Sequence, residues 1–128
     1  WYVKKILKLK DNDLIIFGIV CAVSMNLIGY TKIYNINSVH SYAYFGIIIG
    51  EKSARGKGIG NQATKLMIDY AFNTLNLRKL LLEVADFNDK AKRIYSKLGF
   101  NIEGTLKDQV YIDGKYKDVL IMSVFKNK

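Results

Sequence analysis

Residues 14 to 31, LIIFGIVCAVSMNLIGYT, carry no charge, and Ser24-Met25-Asn26 divides them in two. Each half is rich in Ile, Val, Phe and Tyr, so the pattern predicts a hairpin of buried strands, LIIFGIVCAV and LIGYTKIYNI. The competing reading, a signal peptide or short membrane span, is opposed by Asp11 and Asp13, which interrupt the lysine-rich segment before it. SYAYFGIIIG predicts a third strand. From Gly60 the period changes: Ala63, Leu66, Met67, Tyr70 and Ala71 follow the spacing of a helix with one buried stripe. RKLLLEVA is an apolar run of strand length, suited to burial on both faces.

Asn88 then offers a helix N-cap, because its side chain can accept from free backbone amides. Ala91, Ile94, Tyr95 and Leu98 share one face, and Gly99 supplies a left-handed stop. NIEGTLKDQVYI and KYKDVLIMSVF flank Asp113-Gly114, the pair expected of a type I′ hairpin turn. At the other end, WYVKKILKL places Trp1, Val3, Ile6, Leu7 and Leu9 partly on one helical face, which reads as the end of a helix. The expectation is one α+β domain over residues 1–128, around a mixed, mainly antiparallel sheet.

Composition narrows the function classes. The 128 residues suffice for one buried core. The net charge of +9 implies anionic partners or substrates. Only three of the basic residues are Arg and no Arg-rich stripe forms, so direct nucleic-acid binding is not expected. Cys21 is the only cysteine, which rules out an intrachain disulfide and a secreted disulfide scaffold. A cytoplasmic setting without membrane attachment is expected. His40 is the only histidine and has no second soft ligand beside it, so no metal site is expected.

The most informative segment is EKSARGKGIGNQATK, residues 51 to 65, where a strand hands over to a helix. Gly56, Gly58 and Gly60 remove the Cβ atoms that would hold a ligand away from the backbone. The helix starting near Ile59 aims its free N–H groups at the loop, and Arg55 and Lys57 add positive charge. Either an anion, such as a phosphate, lies against this backbone, or the segment is a glycine-rich turn with solvated lysines. It lacks the Gly-Lys-Ser/Thr ending of a P-loop and the spacing of a dinucleotide fingerprint.

Arg55-Gly56-Lys57-Gly58-Ile59-Gly60 resembles the Gln/Arg-x-x-Gly-x-Gly/Ala motif of the Gcn5-related (GNAT) N-acetyltransferases. NDKAKRIYSKLGFNIEG is similar to that superfamily's Asn-x-x-Ala-x-x-x-Tyr-x-x-x-Gly-Phe segment. The resemblance runs from about residue 14 to 126, nearest to the ribosomal-protein, polyamine and nucleotide-aminosugar branch. It implies a sheet with a splayed parallel pair, AYFGIIIG and KLLLEVA, and helices on both faces. On this resemblance only the tail of the fold's first strand and helices, residues 1 to 9, would be present.

The resemblance also implies a chemistry, acetyl transfer from acetyl-CoA by direct attack of an amine. Acetyl-CoA would pair with the backbone of Ile47, Ile48 and Ile49 and rest its pyrophosphate on Arg55, Gly56, Lys57, Gly58, Ile59 and Gly60. Tyr95 matches the tyrosine that protonates the leaving thiolate; the helical pattern alone makes it a core residue. Asn88 would touch the cofactor as well as cap its helix. Glu51 and Glu83 are the carboxylates available as general base, with Glu51 at the end of the splayed strand and Glu83 facing either side of the sheet.

For the acceptor, the charge of +9 argues against a polyamine. Tyr44 also stands where the polyamine branch carries a carboxylate. A nucleotide-linked aminosugar is therefore expected, with a ribosomal-type protein N-terminus or a polyamine as alternatives. A degenerate domain that binds acetyl-CoA or mediates contacts is the non-enzymatic alternative. A homodimer is possible.

Overall fold

In the computed structural model the described residues are 2–8, by backbone course only, 14–20, 24–50 and 58–127. Cys21, Glu51, Arg55, Gly56 and Lys57, each singled out above, lie outside them. The elements in chain order are β1 (Tyr2–Lys8), β2 (Leu14–Val20), β3 (Leu27–Asn37), β4 (Tyr42–Ile49), α1 (Ile59–Asp69) with a π-helical turn (Tyr70–Thr74), β5 (Lys79–Ala85), α2 (Asp89–Lys97), β6 (Asn101–Ile112) and β7 (Lys115–Phe125). They form a seven-stranded sheet in the order β1-β2-β3-β4-β5-β7-β6.

The expected hairpin forms: β2 and β3 pair antiparallel, with Phe17 opposite Thr31. Antiparallel pairing continues from β3 to β4, and β5–β7–β6 is antiparallel as well. One parallel pair, β4 with β5, joins the two parts. Because α1 connects these two strands, it serves as the crossover that a parallel pair requires. Among the described residues no helix is long and apolar enough to cross a membrane.

Short-range signals give the turns. Asn88 Oδ1 accepts from the Ala91 amide at 3.1 Å, and Gly99 ends α2 at φ 100°. Asp113 and Gly114 both have positive φ, 52° and 78°, as a type I′ turn demands. Gly29 is required by packing: a Cβ there would collide with the Ile48 carbonyl oxygen on β4.

Three expectations are corrected. Residues 2–8 form a strand rather than a helix end, in antiparallel register from Tyr2 opposite Val20 to Lys8 opposite Ile15. A free strand edge on β2 offers a complete hydrogen-bond ladder, which outweighs a weak helical period. Leu66 is 47% exposed, while Ile59 and Thr64 join Ala63, Met67 and Ala71 in the buried stripe of α1. Finally, both helices lie on the same face of the sheet. Ile33, Phe45, Leu80, Leu82, Leu120 and Met122 form one core with Met67, Ala71 and Phe72, and Ala91, Tyr95 and Leu98 of α2 pack against that same cluster. The reason is register: these strand residues fall on one side of the pleat in every aligned pair.

Candidate active site

The site begins where β4 and β5 part. Their pairing runs from Tyr42 opposite Lys79 to Phe45 opposite Leu82 and stops, although β4 continues to Ile49 and β5 to Ala85. Residues 46 to 49 therefore pair with β3 on one side and with no described strand on the β5 side. Groups that lose a ladder partner must find another. The opening is the splay expected of AYFGIIIG and KLLLEVA.

Alternation sends Ile47 and Ile49 to the helix face, where they pack against Ile59 and Ala63 of α1. Ile48 points to the other face and is 50% exposed. At the head of the opening, Gly58 caps α1 at φ 77° and Gln62 N donates to Gly58 O at 3.0 Å. The first-turn amides of such a helix have no partner within the helix, and no acidic side chain occupies that turn. A Cβ at Gly58 would meet nothing within 4 Å. The space it leaves belongs to a cavity of about 460 Å³ lined by Ile49, Gly58, Gly60, Asn61, Lys90, Ile94 and Lys97.

Lys90 and Lys97 line this cavity although the loop motif does not include them. The usable signal was their spacing, two helical turns apart on the face of α2 that meets Gly58. A bare helix N-terminus, glycine backbone and two ammonium groups suit an elongated anion such as the diphosphate arm of acetyl-CoA.

A second cavity of about 190 Å³ continues from the first, sharing Ile49, Gly60 and Ile94 and adding Ile47, Thr64, Ala91 and Tyr95. Thr64 Oγ1 donates to Gly60 O at 2.6 Å and so holds the start of α1 together. Tyr95 stands edge-on to Phe100, with ring centroids 5.8 Å apart. Burial raises the Tyr95 phenol above its ordinary pKa, so the hydroxyl keeps its proton at neutral pH.

The remaining expected residues divide. Ile47, Ile49, Gly58, Gly60 and Tyr95 line one continuous cleft. Ile59 is buried beneath it. Asn88 is engaged as the cap of α2 and is not among the lining residues. Glu83 follows Leu82, the last residue of β5 paired with β4; alternation turns it to the face opposite the helices, where it is exposed.

The acetyltransferase (GNAT) domain family matches residues 2–101. The chain belongs to the GNAT acetyltransferases. It is 43% identical over 100 residues to the spermidine N(1)-acetyltransferase of Escherichia coli K12, a match covering 78% of this chain and 53% of that protein. To the spermidine N(1)-acetyltransferase of Vibrio cholerae it is 40% identical over 103 residues, 80% of this chain and 59% of the relative. This GNAT chain thus spans little more than half the length of those two relatives. A dodecameric spermidine N-acetyltransferase from Vibrio cholerae superimposes with a TM-score of 0.85 at 38% identity, over 90% of this chain and 66% of that one.

Proposed function

We propose that the chain carries the acetyl-CoA site of an amine N-acetyltransferase whose acceptor is a polyamine. The observation that carries the reading is the continuous cleft from Gly58 and Gly60, past the part of β4 that leaves β5, to Tyr95. The nucleotide-aminosugar acceptor expected from net charge gives way here, because the relatives at 43% and 40% identity are named spermidine acetyltransferases. Net charge averages the whole surface, whereas an acceptor meets local groups, among them Glu83.

Acetyl-CoA, when bound, supplies an activated thioester. The first-turn amides of α1, with Lys90 and Lys97, hold its phosphates, and Arg55, Gly56 and Lys57 extend that grip in this reading. Backbone groups of Ile47, Ile48 and Ile49 hold the pantetheine arm as an added strand would. As the amine nitrogen bonds the acetyl carbon and the carbon–sulfur bond breaks, Tyr95 would give its proton to the departing thiolate; a phenol that burial keeps protonated suits a basic leaving group. Of the two carboxylates considered as proton acceptor, Glu83 is favoured over Glu51, since it stands where the strands part. Assembly with further copies of the chain, at least as a homodimer, belongs to the same reading, and the dodecameric relative supports it.

The test is calorimetric titration with acetyl-CoA, followed by release of free CoA thiol in the presence of spermidine, a nucleotide-linked aminosugar or a peptide with a free N-terminus. Micromolar binding with turnover fastest on spermidine is expected. Fastest turnover on the aminosugar would restore the charge argument, and binding without turnover would make this an acetyl-CoA-binding domain.

A further inference from the structure

The sheet face away from the helices carries a cluster that the cleft does not use. Tyr34 and Tyr44 are register partners on β3 and β4, with ring centroids 5.7 Å apart and planes tilted by 33°. Lys32, two residues before Tyr34, sets its ammonium 4.6 Å from the centre of the Tyr34 ring. Its register partner is Gly46, the first residue of β4 beyond the last pair with β5. A Cβ on Gly46 would lie 3.1 Å from Lys32 Cε and 3.4 Å from Cγ, so the lysine stem lies across the space a side chain there would fill. Glu83 flanks the same break, and it helps to raise the Tyr34 phenol pKa, after burial and ahead of Tyr44.

We infer that the Tyr34–Tyr44 pair beside Glu83 is the seat for an ammonium group of the acceptor, and that Lys32 is a built-in competitor for that seat. The inference rests on the amine-acetylation reading and adds to it which side chains select the amine. A ring face attracts any ammonium, and Lys32 already displays the geometry. The ammonium rests on a ring, and among the described residues no carboxylate is paired to it. The seat borders the opening between β4 and β5, on the side opposite the cofactor cleft. An amine seated there would stand across the gap from that cleft. Lys32 makes the seat selective, since each bound cation must either displace the lysine or tolerate its charge.

The experiment compares wild type, Lys32→Met, Tyr34→Leu, Tyr34→Phe and the double variant Lys32→Met/Tyr34→Leu as full chains. Spermidine acetylation is followed by initial rates, and spermidine binding without acetyl-CoA by calorimetry. Lys32→Met is expected to lower KM and Kd for spermidine about fivefold or more, the scale of one ammonium–ring contact with a like charge removed. Tyr34→Leu should raise both constants, and Tyr34→Phe, which keeps the ring, should not. The benefit of Lys32→Met should shrink in the Tyr34→Leu background. Weaker spermidine binding by Lys32→Met would overturn the inference and mark Lys32 as a contact for an anionic acceptor. An equal effect of Lys32→Met in both backgrounds would overturn it too. Binding in this order with no acetylation would leave the seat standing and count against the transfer reaction instead.

Discussion

The two faces of the sheet are made by the same strands and have opposite chemistry. On β4, Phe45, Ile47 and Ile49 turn towards the helices, and Phe45 is 2% exposed. The alternate residues Tyr44, Gly46 and Ile48 turn away, towards Tyr34, Lys32 and Tyr30 of β3. The helix face is closed by apolar packing as far as Phe45 and then opens into the cleft lined by Ile47 and Ile49, while the other keeps tyrosines, a lysine and Glu83 available. One strand thus leaves its backbone unpaired with β5 along the opening, anchors the core with one set of side chains and turns the other set away from it.

The sharpest way to break this comparison is to truncate adjacent residues of β4. Phe45→Ala should cost about 3–5 kcal/mol of stability in urea unfolding, the usual range for a large aromatic deleted from a core. Tyr44→Ala, one residue away on the half-buried face, should cost about 1–2 kcal/mol or less. Similar losses for both would mean that the second face is covered as thoroughly as the first.

Next in size is the chemistry of the helix face. Tyr95→Phe should lower the acetylation rate about 100-fold, the scale of lost acid–base catalysis, with acetyl-CoA affinity retained. The phenol pKa is raised by burial above the ordinary tyrosine value, so no loss of rate assignable to Tyr95 ionisation is expected as pH rises to about 9. A rate unchanged in Tyr95→Phe would return this residue to the core and nothing more.

A smaller effect tests the edge of the second part of the sheet. Lys79 Nζ lies 2.8 Å from Glu103 Oε2, and this contact, then Ser123, holds the Glu103 carboxyl below its ordinary pKa. A depressed folded-state pKa means stabilisation that is complete above about pH 4.3, the unfolded value, and lost as pH falls through the folded one. The difference in Tm between wild type and Glu103→Gln should therefore narrow from pH 6 to pH 3. A gap of constant width would show that the ion pair carries no pH dependence.

The smallest expected change is a gain. Thr31 is fully buried on the helix face, opposite Phe17 and Ile47, and its Oγ1 has no hydrogen-bond partner among the described residues. Thr31→Val should raise stability by about 1 kcal/mol, since it removes a buried polar group that gains nothing from its surroundings. A loss on thermal melting would reveal a partner for that hydroxyl.

Local chemistry was legible in the sequence, and relations between distant segments were not. Asn88, Gly99 and the Asp113–Gly114 turn act through their own backbone, so residue type suffices. Glu83 had no readable side, because the face of a strand residue depends on register with β4, more than thirty residues earlier in the chain. Helices were expected on both faces for the same reason. The β1 segment was misread because its pairing partner, and not its own period, decides its form. Lys90 and Lys97 join the cleft only because the core packing of α2 brings it beside the start of α1. The aminosugar expectation rested on net charge, and a sum over all charges does not describe the few that face one ligand.

The four-residue junction between β4 and β5 also has a mechanical meaning. It divides the sheet into a four-stranded wing, β1 to β4, and a three-stranded wing, β5, β7 and β6, stitched by one short ladder. Separation of the wings would begin at the open end and travel like a zip from Gly46 towards Tyr42. In hydrogen-exchange experiments the strand amides at this seam should lose protection together, ahead of those at the β5–β7 ladder. A molecule lodged along the opening would act as a splint, protecting a seam whose own amides it barely touches.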